Sequence, residues 1–177
     1  MNKVSLRKLK KLDKQYFAKW WRDKDLIALT SGNFEPISDK QVEKYFFNIL
    51  NDKKAFHFMI IVNDEVIGHI SLSKKRGLWY ETQVIIGEKA FWSKGYGTEA
   101  IKLIINKARR LNIPKIYLEV RPDNIRAIKA YTKSGFFLKV KKYYPKNKNL
   151  PETTRMELPI NHYITGNKSK FKIVKTF

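Results

Sequence analysis

A chain of 177 residues, 43% hydrophobic and 14% aromatic, is long enough for one buried core and too apolar for a disordered polymer. It has no cysteine, which excludes disulfides, thiolate-bound zinc and a cysteinyl covalent intermediate. It also has no apolar run long enough for a membrane helix, and MNKVSLRKLKKLDK lacks the apolar core of a signal peptide, so a cytoplasmic protein without membrane partners is expected. The formal net charge of +21 fits either a nucleic-acid or ribosomal neighbour or an ordinary surface made basic by lysine bias. Only eight of the 37 basic residues are arginine, and no RNP-type aromatic pattern or zinc-finger spacing occurs.

In chain order, VSLRKL (Val4–Leu9) alternates apolar and polar residues and reads as a strand. LDKQYFAKWWRDKDLIAL follows as a helix with Leu12, Phe17, Trp20 and Trp21 on its apolar side. Ser38 and Gln41 form a capping box that opens a second helix, with Val42, Tyr45, Phe46 and Ile49 as its stripe. AFHFMIIV and VIGHISL flank Asn63-Asp64-Glu65 as a hairpin, and WYETQVIIG extends the antiparallel run. TEAIKLIINKARRL is a helix with Ile101, Ile104, Ile105, Ala108 and Leu111 on one face. KIYLEV (strand), NIRAIKAYTKSG (helix ended by Gly135), FFLKVKKYY and TRMELPI (strands) complete one mixed α/β domain over residues 1–160. Residues 161–177 form a basic extension without an acid, in which FKIVKTF reads as a possible edge strand.

The segment FWSKGYGTEAIK places Gly95 and Gly97 just ahead of the strongest helix. GYGTEA formally matches the dinucleotide fingerprint, with Glu119 near the ribose-binding distance. EKAFWSK separates the preceding strand from the first glycine, however, and half the chain lies before it, which disfavours a Rossmann unit. No Gly-Lys-Ser/Thr supports a P-loop. The alternative is a nest of main-chain N–H groups from Ser93 to Thr98 at a helix N-terminus, where the macrodipole favours an anion. Ser93, Thr98 and Lys94 would add side-chain donors, while the bland reading is a glycine turn before a helix.

Trp92-Ser93-Lys94-Gly95-Tyr96-Gly97 resembles the Q/R-x-x-G-x-G/A signature of the GNAT superfamily of acyl-CoA N-acyltransferases, with tryptophan in place of Gln or Arg. The form W-S-K-G-Y-G-T-E-A is similar to the branch of ribosomal-protein N-terminal acetyltransferases (RimJ/RimL-like). Asn124-x-x-Ala127-x-x-x-Tyr131-x-x-x-Gly135-Phe136 resembles the second half of the same pattern, and the resemblance covers roughly Val4 to Ile160. It implies the GNAT acyltransferase fold: a mostly antiparallel mixed sheet, a splayed parallel pair formed by WYETQVIIG and KIYLEV, and helices on both faces.

The resemblance further implies direct transfer of acetyl from acetyl-CoA to an amine, with no metal. Coenzyme A would be held by Trp92, Ser93, Lys94, Gly95, Tyr96, Gly97, Thr98 and Asn124, and its pantetheine arm by main-chain groups of Val84, Ile85 and Ile86. Tyr131 is the candidate general acid for the departing thiolate. Glu81 is the candidate base, with Glu119 behind it. Trp21, Phe34 and Trp79 are the candidate acceptor-pocket aromatics; core packing explains Trp20 and Trp21 equally well. Asp23, Asp25 and Glu35 lie in the acceptor-side segment as a possible acidic lining. His57, His69 and His162 match no metal spacing. The acceptor is expected to be a protein N-terminus, with polyamines or aminoglycosides as the alternative; the rival class is a non-catalytic acyl-CoA- or RNA-binding module, and either a monomer or a homodimer is compatible.

Overall fold

The computed structural model describes residues 3–160. The expected basic extension and the FKIVKTF strand lie outside the described residues. Seven strands form one sheet in the order β1-β2-β3-β4-β5-β7-β6: β1 Val4–Lys8, β2 Ala55–Val62, β3 Glu65–Lys74, β4 Trp79–Ile86, β5 Lys115–Val120, β6 Phe137–Tyr143 and β7 Glu152–Pro159. Every neighbouring pair is antiparallel except β4 and β5. Helices α1 (Lys14–Trp20), α2 (Lys24–Leu29) and α3 (Asp39–Leu50) precede β2, α4 (Tyr96–Arg110) follows β4, and α5 (Ile125–Lys133) follows β5.

The local signals act as the chemistry requires. Ser38 accepts from the Gln41 amide, and the Gln41 side chain accepts from the Ser38 amide, closing the box that starts α3. Asn63 and Asp64 take the left-handed conformation, with φ of 47° and 65°, which a tight two-residue hairpin between β2 and β3 demands. One expectation needs correction: residues 12–29 do not form a single helix. Asp23 breaks it, because its carboxylate accepts from the amides of Asp25 and Leu26 and starts α2 afresh. Leu12 is not in the apolar stripe either; it is 82% exposed and belongs to a short 3-10 turn at Lys11–Asp13.

Two apolar clusters sandwich the sheet. On one face Ile101, Ile104, Ile105 and Ala108 of α4 meet Ile60, Ile70, Leu72, Ile116 and Leu118. On the other, Phe17, Trp20, Leu26 and Phe46 cover Met59 and Val66. Strand β3 is buried along most of its length because helices lie on both sides of it. Trp20 seats its indole directly on Gly87, where an added Cβ would lie 2.0 Å from the ring. Gly68 is equally committed: its missing Cβ would fall 2.2 Å from the main-chain oxygen of Ile85.

Under α1 the two imidazoles of β2 and β3 face each other, His57 Nδ1 lying 3.1 Å from His69 Nε2. His69 also meets the edge of the Phe17 ring, at 5.0 Å between centroids. Burial, reinforced by the proximity of His57, pushes His69 down to about 3. The folded protein therefore keeps this ring neutral, while the unfolded chain takes up the proton at its ordinary value. Stability from this site is complete above the unfolded value and is lost as the pH falls below it. Between pH 6.5 and 5 the loss should be about 2 kcal/mol. His69→Gln should flatten that acid limb in urea melts taken across the range; an unchanged limb would show that other groups cause it.

Candidate active site

Strands β4 and β5 run side by side for only three residue pairs, Trp79↔Lys115, Tyr80↔Ile116 and Glu81↔Tyr117. Beyond Glu81 they part. Strand β4 stays with β3 as far as Gly68↔Ile86, and the amides of Gly87 and Glu88 both donate to the Ile67 carbonyl. Strand β5 stays with β7 to Val120↔Thr154. The result is a cleft of about 740 Å³, well within the range of small-molecule sites. Thr82, Val84 and Ile86 line one wall and Glu119 and Val120 the other, with the loop before α4 at one end.

That loop has the shape of an anion nest. Ser93 sits at φ 59° and Gly95 at φ 84°, and Gly95 is the N-cap of the fifteen-residue α4. Main-chain N–H groups of the first helical turn therefore point, unpartnered within the helix, toward the cleft. An added Cβ on Gly97 would meet the Ile86 side chain at 3.6 Å, an ordinary contact, so the protein itself has space for one there. Ser93, Gly95, Tyr96, Gly97 and Thr98 line the cleft; Lys94 is exposed and outside the lining.

Trp92 has a different role from the Gln or Arg whose place it takes. Its indole N–H donates to the Ile86 carbonyl over 2.7 Å, tying the loop to the end of β4. The Arg126 guanidinium stacks on the same ring, 4.3 Å from its centroid. Of the three residues expected to offer main-chain groups, Ile85 aims its carbonyl at Gly68. Strand alternation then turns Val84 and Ile86 to the gap, with the Ile86 carbonyl already taken by Trp92.

Tyr131, from α5, lies on the α4–α5 side of the sheet, is 8% exposed and lines the cleft. Burial alone pushes its phenol up to about 12, so the group holds its proton throughout the neutral range. Asn124 caps α5 by accepting from the Ala127 amide, and its amide nitrogen donates to the Leu29 carbonyl at 3.3 Å. This bond straps the end of α2 across the cleft. Nearby, Gly32 leaves space in which a Cβ would lie 2.8 Å from the Asn149 carbonyl and 3.0 Å from Arg121, so the β6–β7 loop closes over the same end.

The carboxylates sort differently from expectation. Glu81 belongs to the last paired position, lies outside the cleft lining, and is held by Lys75 at 2.8 Å. Glu119 lines the cleft and has no cationic partner among the described residues; it accepts from Tyr144 Oη at 2.6 Å and Thr153 Oγ1 at 2.7 Å. Asp23 and Asp25 share the one cation of Lys89, and neither they nor Glu35 line the cleft. Of the three aromatics, Trp21 lines the cleft. Phe34 is 57% exposed outside it, and Trp79 packs edge-on against Tyr117 between Arg155 and Lys115. Sequence reasoning missed Arg126, Lys129 and Lys133, all in the lining; their helical spacing on α5 was the available signal.

Residues 3–137 match the family described as acetyltransferase (GNAT) domain. The chain belongs to this family. It is 22% identical over 138 residues to the aminoglycoside N(6')-acetyltransferase type 1 of Klebsiella pneumoniae, a match covering 71% of this chain and 65% of that protein. It thus spans just under two thirds of the length of that relative. The spermidine N-acetyltransferase of Vibrio cholerae, solved in complex with CoA and spermine, superposes with a TM-score of 0.77 at 20% identity, covering 92% of this chain and 98% of that one. A domain from Methanocaldococcus jannaschii superposes at 0.76 with 18% identity, covering 90% and 99%. The residues here fit the coenzyme A of this GNAT fold: a nest of main-chain N–H groups at a helix N-terminus, a gap in the sheet for a narrow arm, and main-chain groups along one wall.

If the nest grips a diphosphate, Gly95→Ala should strain the left-handed turn by about 1 kcal/mol and push a methyl group toward the ligand. The expected result is a melting temperature lowered by only a few degrees together with at least a tenfold loss of coenzyme A affinity in calorimetry.

Proposed function

We propose that this chain is an acetyl-CoA-dependent N-acetyltransferase whose acceptor is the primary amine of a small cationic molecule. The observation that carries the reading is the split between β4 and β5, with a protonated Tyr131 on one face of the sheet and, at the opposite wall, Glu119, which has no cationic partner among the described residues. Acetyl-CoA brings the thioester. The nest from Ser93 to Thr98 holds its diphosphate, and main-chain groups of Val84 and the Ile86 amide line the path of its arm as a partner strand would. With no cysteine in the chain, the amine attacks the thioester carbon itself.

In that step a C–N bond forms and the C–S bond breaks. Tyr131 gives its proton to the departing sulfur, and Glu119 takes a proton from the amine. Two hydroxyl donors orient Glu119 without cancelling its charge, so the same group attracts an ammonium and takes its proton before attack. The second proton leaves the acylated nitrogen for the Tyr131 phenolate once that residue has protonated the sulfur. Glu81, neutralised by Lys75, is less suited to either task. The strap from α2 and the β6–β7 loop narrow the acceptor end, which favours a compact acceptor over an extended peptide. The polyamine and aminoglycoside substrates named for the relatives agree with such an acceptor.

A protein N-terminus is the second reading, favoured by the W-S-K-G-Y-G-T-E-A form of the loop and by a lysine-rich surface suited to the ribosome. A thiol-release assay with acetyl-CoA separates the two. Turnover of polyamines or aminoglycosides, and not of peptides, is expected; peptides alone would establish the second reading, and binding without release would leave a non-catalytic module. Tyr131→Phe should lower kcat about a hundredfold with coenzyme A affinity unchanged. Glu119→Gln should lower kcat and raise the acceptor KM, whereas Glu81→Gln should change either by less than about threefold.

A further inference from the structure

The cleft has a second feature suited to anions besides the nest, and it lies on α5. Arg126, Lys129 and Lys133 fall at helical spacing on one side of this helix, and all three line the cleft. None has an acidic partner among the described residues, whereas Glu99, the acid in the first turn of α4, is already bridged to Lys102 at 2.8 Å. Arg126 is also fixed in place. Its guanidinium rests on the Trp92 ring, 4.3 Å from the centroid, and that ring is locked by its 2.7 Å bond to Ile86. A stacked guanidinium keeps its N–H edges free for a phosphate.

The nest already supplies main-chain donors sufficient for a diphosphate, so the stripe on α5 is surplus to that group. We infer that Arg126, held on Trp92 and assisted by Lys129, binds the ribose 3′-phosphate of coenzyme A and makes the chain selective for coenzyme A over its 3′-dephospho form. This rests on the acetyl-CoA reading above. It also gives the tryptophan in the first loop position a function. The side-chain charge that an arginine would bring at that position is supplied instead from α5, and Trp92 is the platform that positions it.

Calorimetric titration of the full chain with coenzyme A and, separately, with dephospho-coenzyme A tests the assignment in wild type, Arg126→Gln and Trp92→Leu. Arg126 is exposed, so its replacement leaves the core intact. Wild type should bind coenzyme A about tenfold or more tighter than the dephospho form, as expected for a charge-assisted contact to one phosphate. In Arg126→Gln the ratio should collapse toward one through loss of coenzyme A affinity alone, and Trp92→Leu should lower the ratio as well. A wild-type ratio near one, or a ratio unchanged in Arg126→Gln, overturns the inference while leaving the transferase reading intact. An equal loss for both ligands in Arg126→Gln assigns the arginine to the diphosphate and overturns it too. Failure of wild type to bind either ligand removes the acetyl-CoA reading itself, and the inference with it.

Discussion

The structure depends on a strand pairing that stops early. After Glu81↔Tyr117 each of the two central strands is committed to its outer neighbour: β4 to β3, through close approach at Gly68 and the paired amides on Ile67, and β5 to β7 along its full length. Main-chain groups on the two inner edges are left without strand partners, which a buried sheet does not tolerate unless something else satisfies them. The indole of Trp92 takes one such carbonyl. The remaining unpaired edge suits an extended ligand with amides of its own, which is the chemical character of a pantetheine arm.

Charge is distributed along this gap with opposite signs at its two ends. Most acids near the cleft have a cationic partner: Glu88 has Lys19, Glu81 has Lys75, Glu157 has Arg155 and Asp123 has Arg121, while Asp23 and Asp25 share Lys89. Among the described residues Glu119 has no cationic partner and is held by two hydroxyls. Toward the nest the imbalance reverses: Arg126, Lys129 and Lys133 line the cleft with no acidic partner among the described residues. On the proposed reading, a cleft with a positive end for phosphates and one negative group for an ammonium would orient both reactants before any contact is made. In a chain of net charge +21, the proposed cationic acceptor would depend on that carboxylate for its attraction to the cleft.

The elements specified by local chemistry were legible in the sequence. Ser38 and Gln41 announced α3, Asn63 and Asp64 the hairpin, and Asn124 and Gly135 the ends of α5, because caps and turns are interactions between near neighbours. The nest was legible for the same reason. Interactions between distant segments were not. Asp23 is an ordinary acid in the sequence, and only its hydrogen bonds reveal it as the cap that splits the first helix. Glu81 and Glu119 are both strand carboxylates, and their ranking turned on Lys75, Tyr144 and Thr153, which come from other parts of the chain. Trp92 read as the loss of a polar ligand, since neither the Ile86 carbonyl nor Arg126 adjoins it in sequence.

Strand β6 closes the sheet on one side, and among the described residues nothing pairs with its outer edge. It also leaves Leu138 and Val140 about half or more exposed around the bulge at Lys139. Such an edge invites copies of the chain to add to one another as extra strands. Lys139 and Lys142 lie on the same strand beside Lys141, which is paired with Glu152, so two approaching edges would bring like charges together. Colloidal stability at this edge therefore comes from repulsion rather than from shape, and it weakens wherever ionic strength or a polyanion shortens the reach of those charges.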